Sequence, residues 1–108
     1  MGRYVVEIAD GKLELPELEK TIEQREQLNY ELVSLAAGTA QGRPANFLTF
    51  ARNPVAPTVT LVAVDGGLDA DAQSAAVNDG AGGGRRLVSY GGVYVESKVR
   101  NVAAYRQL

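Results

Sequence analysis

The three residues Leu32-Val33-Ser34 return, 55 positions later, as Leu87-Val88-Ser89. The same offset, without a gap, lays Asp10, Gly11 and Leu13 on Asp65, Gly66 and Leu68, and Asn46 on Asn101. Residues 1–53 laid on 56–108 match at seven positions, where ordinary residue frequencies alone would give about four. Six of the seven fall in two short runs at corresponding places, the turn after a first strand and a second strand. Conservative pairs such as Ile22 with Val77, Arg43 with Lys98 and Phe50 with Tyr105 join them. Self-similarity at a fixed period marks one supersecondary unit written twice.

Working outward from the triplet, each copy reads as β-α-β-β. Tyr4 to Ala9 alternates as a strand, with Tyr4, Val6 and Ile8 forming an apolar face that is expected to point inward and Val5 and Glu7 opposite. Asp10, Gly11 and Lys12 make a turn. A helix is expected from about Pro16 to Leu28, since proline suits the first turn, Glu17 and Glu19 favour the positive end of the helix dipole, and Leu15, Leu18, Ile22 and Leu28 recur near helical spacing. The glutamates Glu17, Glu19, Glu23 and Glu26 read as its solvated face. Tyr30 to Ala37 is the second strand, Gly38 to Pro44 a polar hairpin loop, and Ala45 to Arg52 the third strand.

Residues 53–57, with Pro54 and Pro57, form an extended linker between repeats 1–53 and 56–108 of a single domain. In the second unit Thr58 to Val64 is apolar on both faces, the mark of a strand covered on both sides. Asp69 caps a short helix of small residues, Ala70 to Asp79, that can bury little area and ends in the glycines 80–84. Arg85 to Tyr90 is a strand that Gly91 and Gly92 would bend or bulge, and Asn101 to Gln107 is the last strand. A β-α-β-β unit closes when its last strand inserts between the first two, giving the order 1-3-2. The fold class is α+β: about six mainly antiparallel strands with two helices on one face, related to the ferredoxin-like split βαβ. The units can share one sheet or stack face to face.

The run Tyr4-Val5-Val6-Glu7-Ile8, the leucine-rich acidic helix, and Asn29-Tyr30-Glu31-Leu32-Val33-Ser34 resemble a family of small bacterial domains of unknown function. Its members read Tyr-Lys-Val-Val-Glu, then a helix, then Gly-Trp-Glu-Leu-Val. The resemblance covers residues 3–52, with the second unit a degenerate copy in which Gly84 keeps the glycine and Arg85 stands for the aromatic residue. It implies a βαββ fold and no catalytic residues.

Composition narrows the chemistry. The chain has no histidine and no cysteine, which removes disulfides, thiolate nucleophiles, imidazole bases and nearly all zinc sites. No cofactor is expected. No apolar run approaches the roughly 20 residues of a membrane span, and no signal pattern is present, so the expected location is cytoplasmic or within an assembled particle, with no membrane partner. The net charge of −2 gives no general attraction to nucleic acid, and Lys98, Arg100 and Arg106 with Tyr94 and Tyr105 are better explained by hairpin pairing than as a single-strand-binding surface. Residues 1–35 carry eight acidic and four basic side chains, residues 36–108 five and seven, a mild dipole that could help copies pack head to tail.

Two candidate sites emerge. Gly82, Gly83 and Gly84 followed by Arg85 and Arg86 could hold an anion, although the glycines follow a helix where the phosphate fingerprints have them open one. The surplus apolar surface of Val62, Val64, Tyr90, Tyr94 and Tyr105 is a candidate interface, because two short helices cannot cover both faces of six strands. Ser34 and Ser89 sit mid-strand without a base and read as packing positions. The expected function is a non-enzymatic interaction or assembly module that binds itself, as a homo-oligomer, or a protein partner through sheet surface or edge. The alternative is a regulatory domain binding a small ligand or anion.

Overall fold

The computed structural model describes residues 2–108. The elements run β1 (Tyr4–Asp10), α1 (Leu15–Glu26), β2 (Tyr30–Ala40), β3 (Arg43–Arg52), β4 (Val59–Val64), α2 (Ala70–Gly80), β5 (Arg85–Val95) and β6 (Lys98–Gln107). They form two antiparallel three-stranded sheets, here sheet A in the order β1-β3-β2 and sheet B in the order β4-β6-β5. Both units therefore insert their last strand between the first two. At an offset of 55, β5 and β6 coincide end to end with β2 and β3.

The repeated triplet is a β-bulge. Pairing with β3 slips by one residue between Leu32 and Ser34, and pairing with β6 slips between Leu87 and Ser89. Val33 and Val88 are the extra residues, and such a slip raises the local twist of the strand. Gly91 and Gly92, expected to bend β5, instead continue its ladder opposite Val102 and Asn101. The two hairpins are also tighter than their sequences suggest, since strand pairing extends through Gly38 to Ala40 and through Lys98 to Arg100. Two-residue turns remain, Gln41-Gly42 with φ of 53° and 75° and Glu96-Ser97 with φ of 52° and 70°. Positive φ at both central residues fits the right-handed twist of the flanking strands.

Helix α1 starts after Glu14, whose N–H donates to Glu17 Oε1 at 3.1 Å. It stops at Glu26, short of the expected Leu28, because Asn29 turns left-handed at φ 70° and sends the chain into β2. Leu18 and Ile22 are fully buried in one cluster with Ala9, Leu48 and Phe50 of sheet A and Leu61, Val102 and Ala104 of sheet B. Burial of each such side chain contributes about 1.5–3 kcal/mol. Helix α2 has no fully buried side chain, as its small residues imply. Asp69 caps it by accepting from the Ala72 N–H at 2.8 Å, and Gly80 lets it approach the Tyr105 ring so closely that no Cβ would fit.

The layers stack in a translational order. In each unit the helix lies over the same face of its own sheet: α1 over Ala9, Leu48 and Phe50, and α2 over Ala103 and Tyr105. Sheet B turns its other face, with Leu61, Val93, Val102 and Ala104, toward α1 and sheet A. Strand β4 is thus covered on both sides, as its two apolar faces require. The corresponding other face of sheet A has nothing over it. The expected inward face of β1 is the outward one: Tyr4, Val6 and Ile8 are 61%, 57% and 57% exposed, while Ala9, on the opposite face, is buried. Among the described residues no helix is long and apolar enough to cross a membrane.

Candidate interaction face

The junction between the units is built from polar side chains that seal strand edges. Asn46, fully buried, donates to the Tyr94 carbonyl and accepts from the Tyr94 N–H, each at 2.8 Å, so its amide imitates a strand pairing with β5. Glu19 of α1 accepts the Leu61 N–H of edge strand β4 at 2.8 Å. The hairpin turn of unit 2 docks on the loop after β1, with Glu96 N–H on the Leu13 carbonyl and Ser97 N–H on the Gly11 carbonyl.

Glu26, expected to be solvated, is 1% exposed and takes Arg106, 5% exposed, in a two-bond grip of 2.6 and 3.1 Å. It also accepts the Leu32 N–H at 2.9 Å. The signal was present in the sequence, because Glu26 continues the i, i+4 row of Leu18 and Ile22. Outside this pair, Glu31 lies 3.5 Å from Arg86 and 3.6 Å from Arg106.

The anticipated interface residues belong to the face of sheet B beneath α2. Val64 and Tyr105 are buried, and Val62, Tyr90 and Tyr94 are half-buried. Tyr90 donates to Gln73 Oε1 and Tyr105 to the Val77 carbonyl, the latter at 2.7 Å. Burial lifts the Tyr105 phenol above its ordinary value of 10.0, with Arg85 opposing and Asp79 and Tyr90 adding to the rise. These side chains hold α2 down, and Val64 and Tyr105 have no surface to offer a partner. The basic and aromatic set is broken up in the same way, since Tyr105 and Arg106 are both buried on opposite faces of β6.

The glycine segment is engaged as well. Gly83 and Gly84 turn left-handed at φ 73° and 81°, the Gly83 carbonyl accepts from Gln107 Nε2, and the Gly84 carbonyl accepts from the Leu108 N–H. Arg86 faces Glu31 and Arg85 is half-buried, so the two arginines do not converge beside Gly82.

The free apolar surface lies on sheet A. Tyr4, Val6 and Ile8 pair across β1 and β3 with Ala51, Thr49 and Phe47, and the half-buried Phe47 ring covers Gly38 of β2. Arg3 stands over the Tyr4 ring at 5.7 Å from its centroid. At its far end an open cleft of about 710 Å³ is lined by Ile8, Asp10, Lys12, Gln41, Arg43 and Ser97, among others. A face of this kind, apolar in the middle and charged at both ends, has the anatomy of a protein contact surface. Comparison with protein-family models, with curated proteins and with solved structures finds no match to this chain in any of the three.

Proposed function

We propose that the chain is a non-enzymatic assembly module that binds a protein partner, a further copy of itself in the first place, through the bare face of sheet A. The observation that carries the reading is the row Tyr4, Val6 and Ile8, each more than half exposed on one face of β1. Contiguous apolar surface rimmed by charge favours association, because water released from it lowers the free energy by about 25 cal/mol per Å². The lack of histidine and cysteine supports a role without catalysis. The resemblance of residues 3–52 to bacterial βαββ domains belongs to the same proposal and adds no activity to it.

Sedimentation velocity over a micromolar concentration series tests it. The wild-type chain is expected to associate, and Val6→Lys, placed on an exposed position, to remain folded and lose that association. A chain that stays a monomer throughout refutes self-association.

A further inference from the structure

We infer that copies add head to tail, each repeating between molecules the junction that joins the two units within one chain. The inference rests on the self-association reading above and gives it an order. Inside the chain, sheet A contributes its helix-bearing face and sheet B its bare face. One bare face, on sheet A, and one helix-bearing face, under α2, are left over. By the repeat they are counterparts of the two surfaces already joined, and unlike surfaces of this kind generate an open, heterologous series.

The volumes are complementary. In the internal junction the helix contributes Leu15, Leu18 and Ile22 against a face of sheet B that buries Leu61, Val93, Val95, Val102 and Ala104. At the offset of 55, α2 carries Ala70, Gln73 and Val77, and the bare face of sheet A carries Ile8, Phe47 and Thr49. The helix has become smaller, and the sheet gains at Ile8, Phe47 and Thr49 over Ala63, Val102 and Ala104 while it loses at Val6, Gly38 and Ala40 against Leu61, Val93 and Val95. The small residues leave a groove of about 390 Å³ lined by Ala70, Gln73, Ser74, Val77, Asn78 and Tyr90. Five of these six, all but Asn78, stand 55 positions after Leu15, Leu18, Glu19, Ile22 and Leu35, which lie in the internal core or bond across the junction. Large side chains from the bare face of a second copy fit such a groove.

The polar groups correspond too. Asn101 is the counterpart of Asn46, yet its side chain has no hydrogen-bond partner among the described residues, and it borders an open cleft of about 600 Å³ together with Gly66. In unit 1 the corresponding residues Ile8, Asp10, Gly11, Pro44 and Ala45 line the open cleft of about 710 Å³, and the turn Glu96-Ser97 binds at its border, through Ser97 N–H on the Gly11 carbonyl. Gln41-Gly42 of another copy has the same left-handed turn conformation. Seated there, it would bring Gly42 N–H to the Gly66 carbonyl and the backbone of Thr39 to Asn101. No buried charge is stranded: the positions of Glu26 and Arg106 become Ala81 and Ala51, and Glu31 facing Arg86 becomes Arg86 facing Glu31.

Blocked variants test the order. Ile8→Lys blocks the bare face and Ser74→Lys blocks the α2 groove, both at exposed positions. Each alone is expected to sediment as the 11.5-kDa monomer, while an equimolar mixture forms a species of twice that mass and nothing larger. The wild-type chain is expected to grow past the dimer as concentration rises. A wild-type dimer that stops at two overturns the head-to-tail order and leaves self-association standing, whereas a strictly monomeric chain overturns both. A mixture that fails to pair overturns the inference provided both variants keep wild-type circular dichroism. Because the chain has no cysteine, Val6→Cys and Ser74→Cys, counterparts of the touching Leu61 and Glu19, give a second measurement. Disulfide-linked pairs are expected from the oxidised mixture alone, and linkage within either variant by itself counts against the inference.

Discussion

Truncating Glu26 to alanine removes the partner of a buried guanidinium and the acceptor of the Leu32 N–H in one step. Breaking a buried ion pair from one side costs about 3–5 kcal/mol, because the remaining charge keeps its desolvation penalty without compensation. Glu31, 3.6 Å from Arg106 Nε and partly exposed, takes up some of that charge and places the expected cost at the lower end. An orphaned backbone N–H adds about 1–3 kcal/mol. Against a total stability of about 5–15 kcal/mol for a small domain, Glu26→Ala is expected to lower the melting temperature by more than about 12 °C. Glu26→Gln, which keeps the acceptor for Leu32, is expected to cost less. The double variant Glu26→Met with Arg106→Leu is expected to lie within about 1 kcal/mol of wild type, since a well-packed apolar pair often replaces a buried ion pair without loss. Urea unfolding of the four chains measures the differences. A loss below about 1 kcal/mol for Glu26→Ala would refute the account of the junction as locked by this pair.

The two asparagines of the repeat separate cleanly. Asn46→Leu leaves the N–H and carbonyl of Tyr94 unpaired and is expected to cost at least about 2 kcal/mol, whereas Asn101→Leu, at a side chain without a partner, is expected to stay within about 0.5 kcal/mol in the monomer; denaturant midpoints compare them. Gly80→Ala gains about 1 kcal/mol of helix propensity but drives a methyl into the buried Tyr105 ring, so a net loss of about 1–2 kcal/mol is expected by thermal melting. The raised Tyr105 phenol means that the folded state holds its proton more tightly than the unfolded chain does. Its contribution is therefore complete below pH about 10 and is lost as pH rises through the higher folded value. Tyr105→Phe is expected to flatten the fall in stability above pH 10 relative to wild type, and equal slopes in the two chains would count against it.

Much of the fold was legible because the repeat and the strand order depend on local pattern: turns at fixed offsets, alternation, and a unit that closes in one way. What alternation could not supply is which face of a strand is covered. In β1 it grouped Tyr4, Val6 and Ile8 on one face, but the polar Glu7 made the opposite face look solvated and so put the apolar row on the wrong, inward side. Glu7 instead reaches Arg25 of α1 at 3.2 Å and shares its face with Ala9, which is buried. Glu26 was hidden for the same reason, since a carboxylate counts as surface until a specific cation is known to meet it, and Arg106 lies 80 residues away in sequence. Val62, Tyr90 and Tyr105, expected at an interface, lie on the face of sheet B that α2 covers, and Tyr90 and Tyr105 hydrogen-bond to that helix. Gly38 and Gly80 serve close approach to Phe47 and Tyr105, and neither contact is local.

The bare face follows from stacking order more than from composition. Two βαββ units related by a two-fold axis would place their bare faces together and leave both helices outside, a closed arrangement with no apolar strand exposed. The side chains of unit 1 prevent it. Leu18 and Ile22 make α1 bulky enough to need cover on two sides, from Phe50 and Leu48 beneath and from Leu61 and Ala104 above. Glu19, Glu26 and Asn46 then fix unit 2 over that helix through bonds to Leu61, Arg106 and Tyr94 that a two-fold relation would not supply. With α1 held between the sheets, sheet A must turn its other face outward. Tyr4, Val6 and Ile8 stay apolar there although solvent would favour polar residues, which is the pattern expected where a further layer completes the stack.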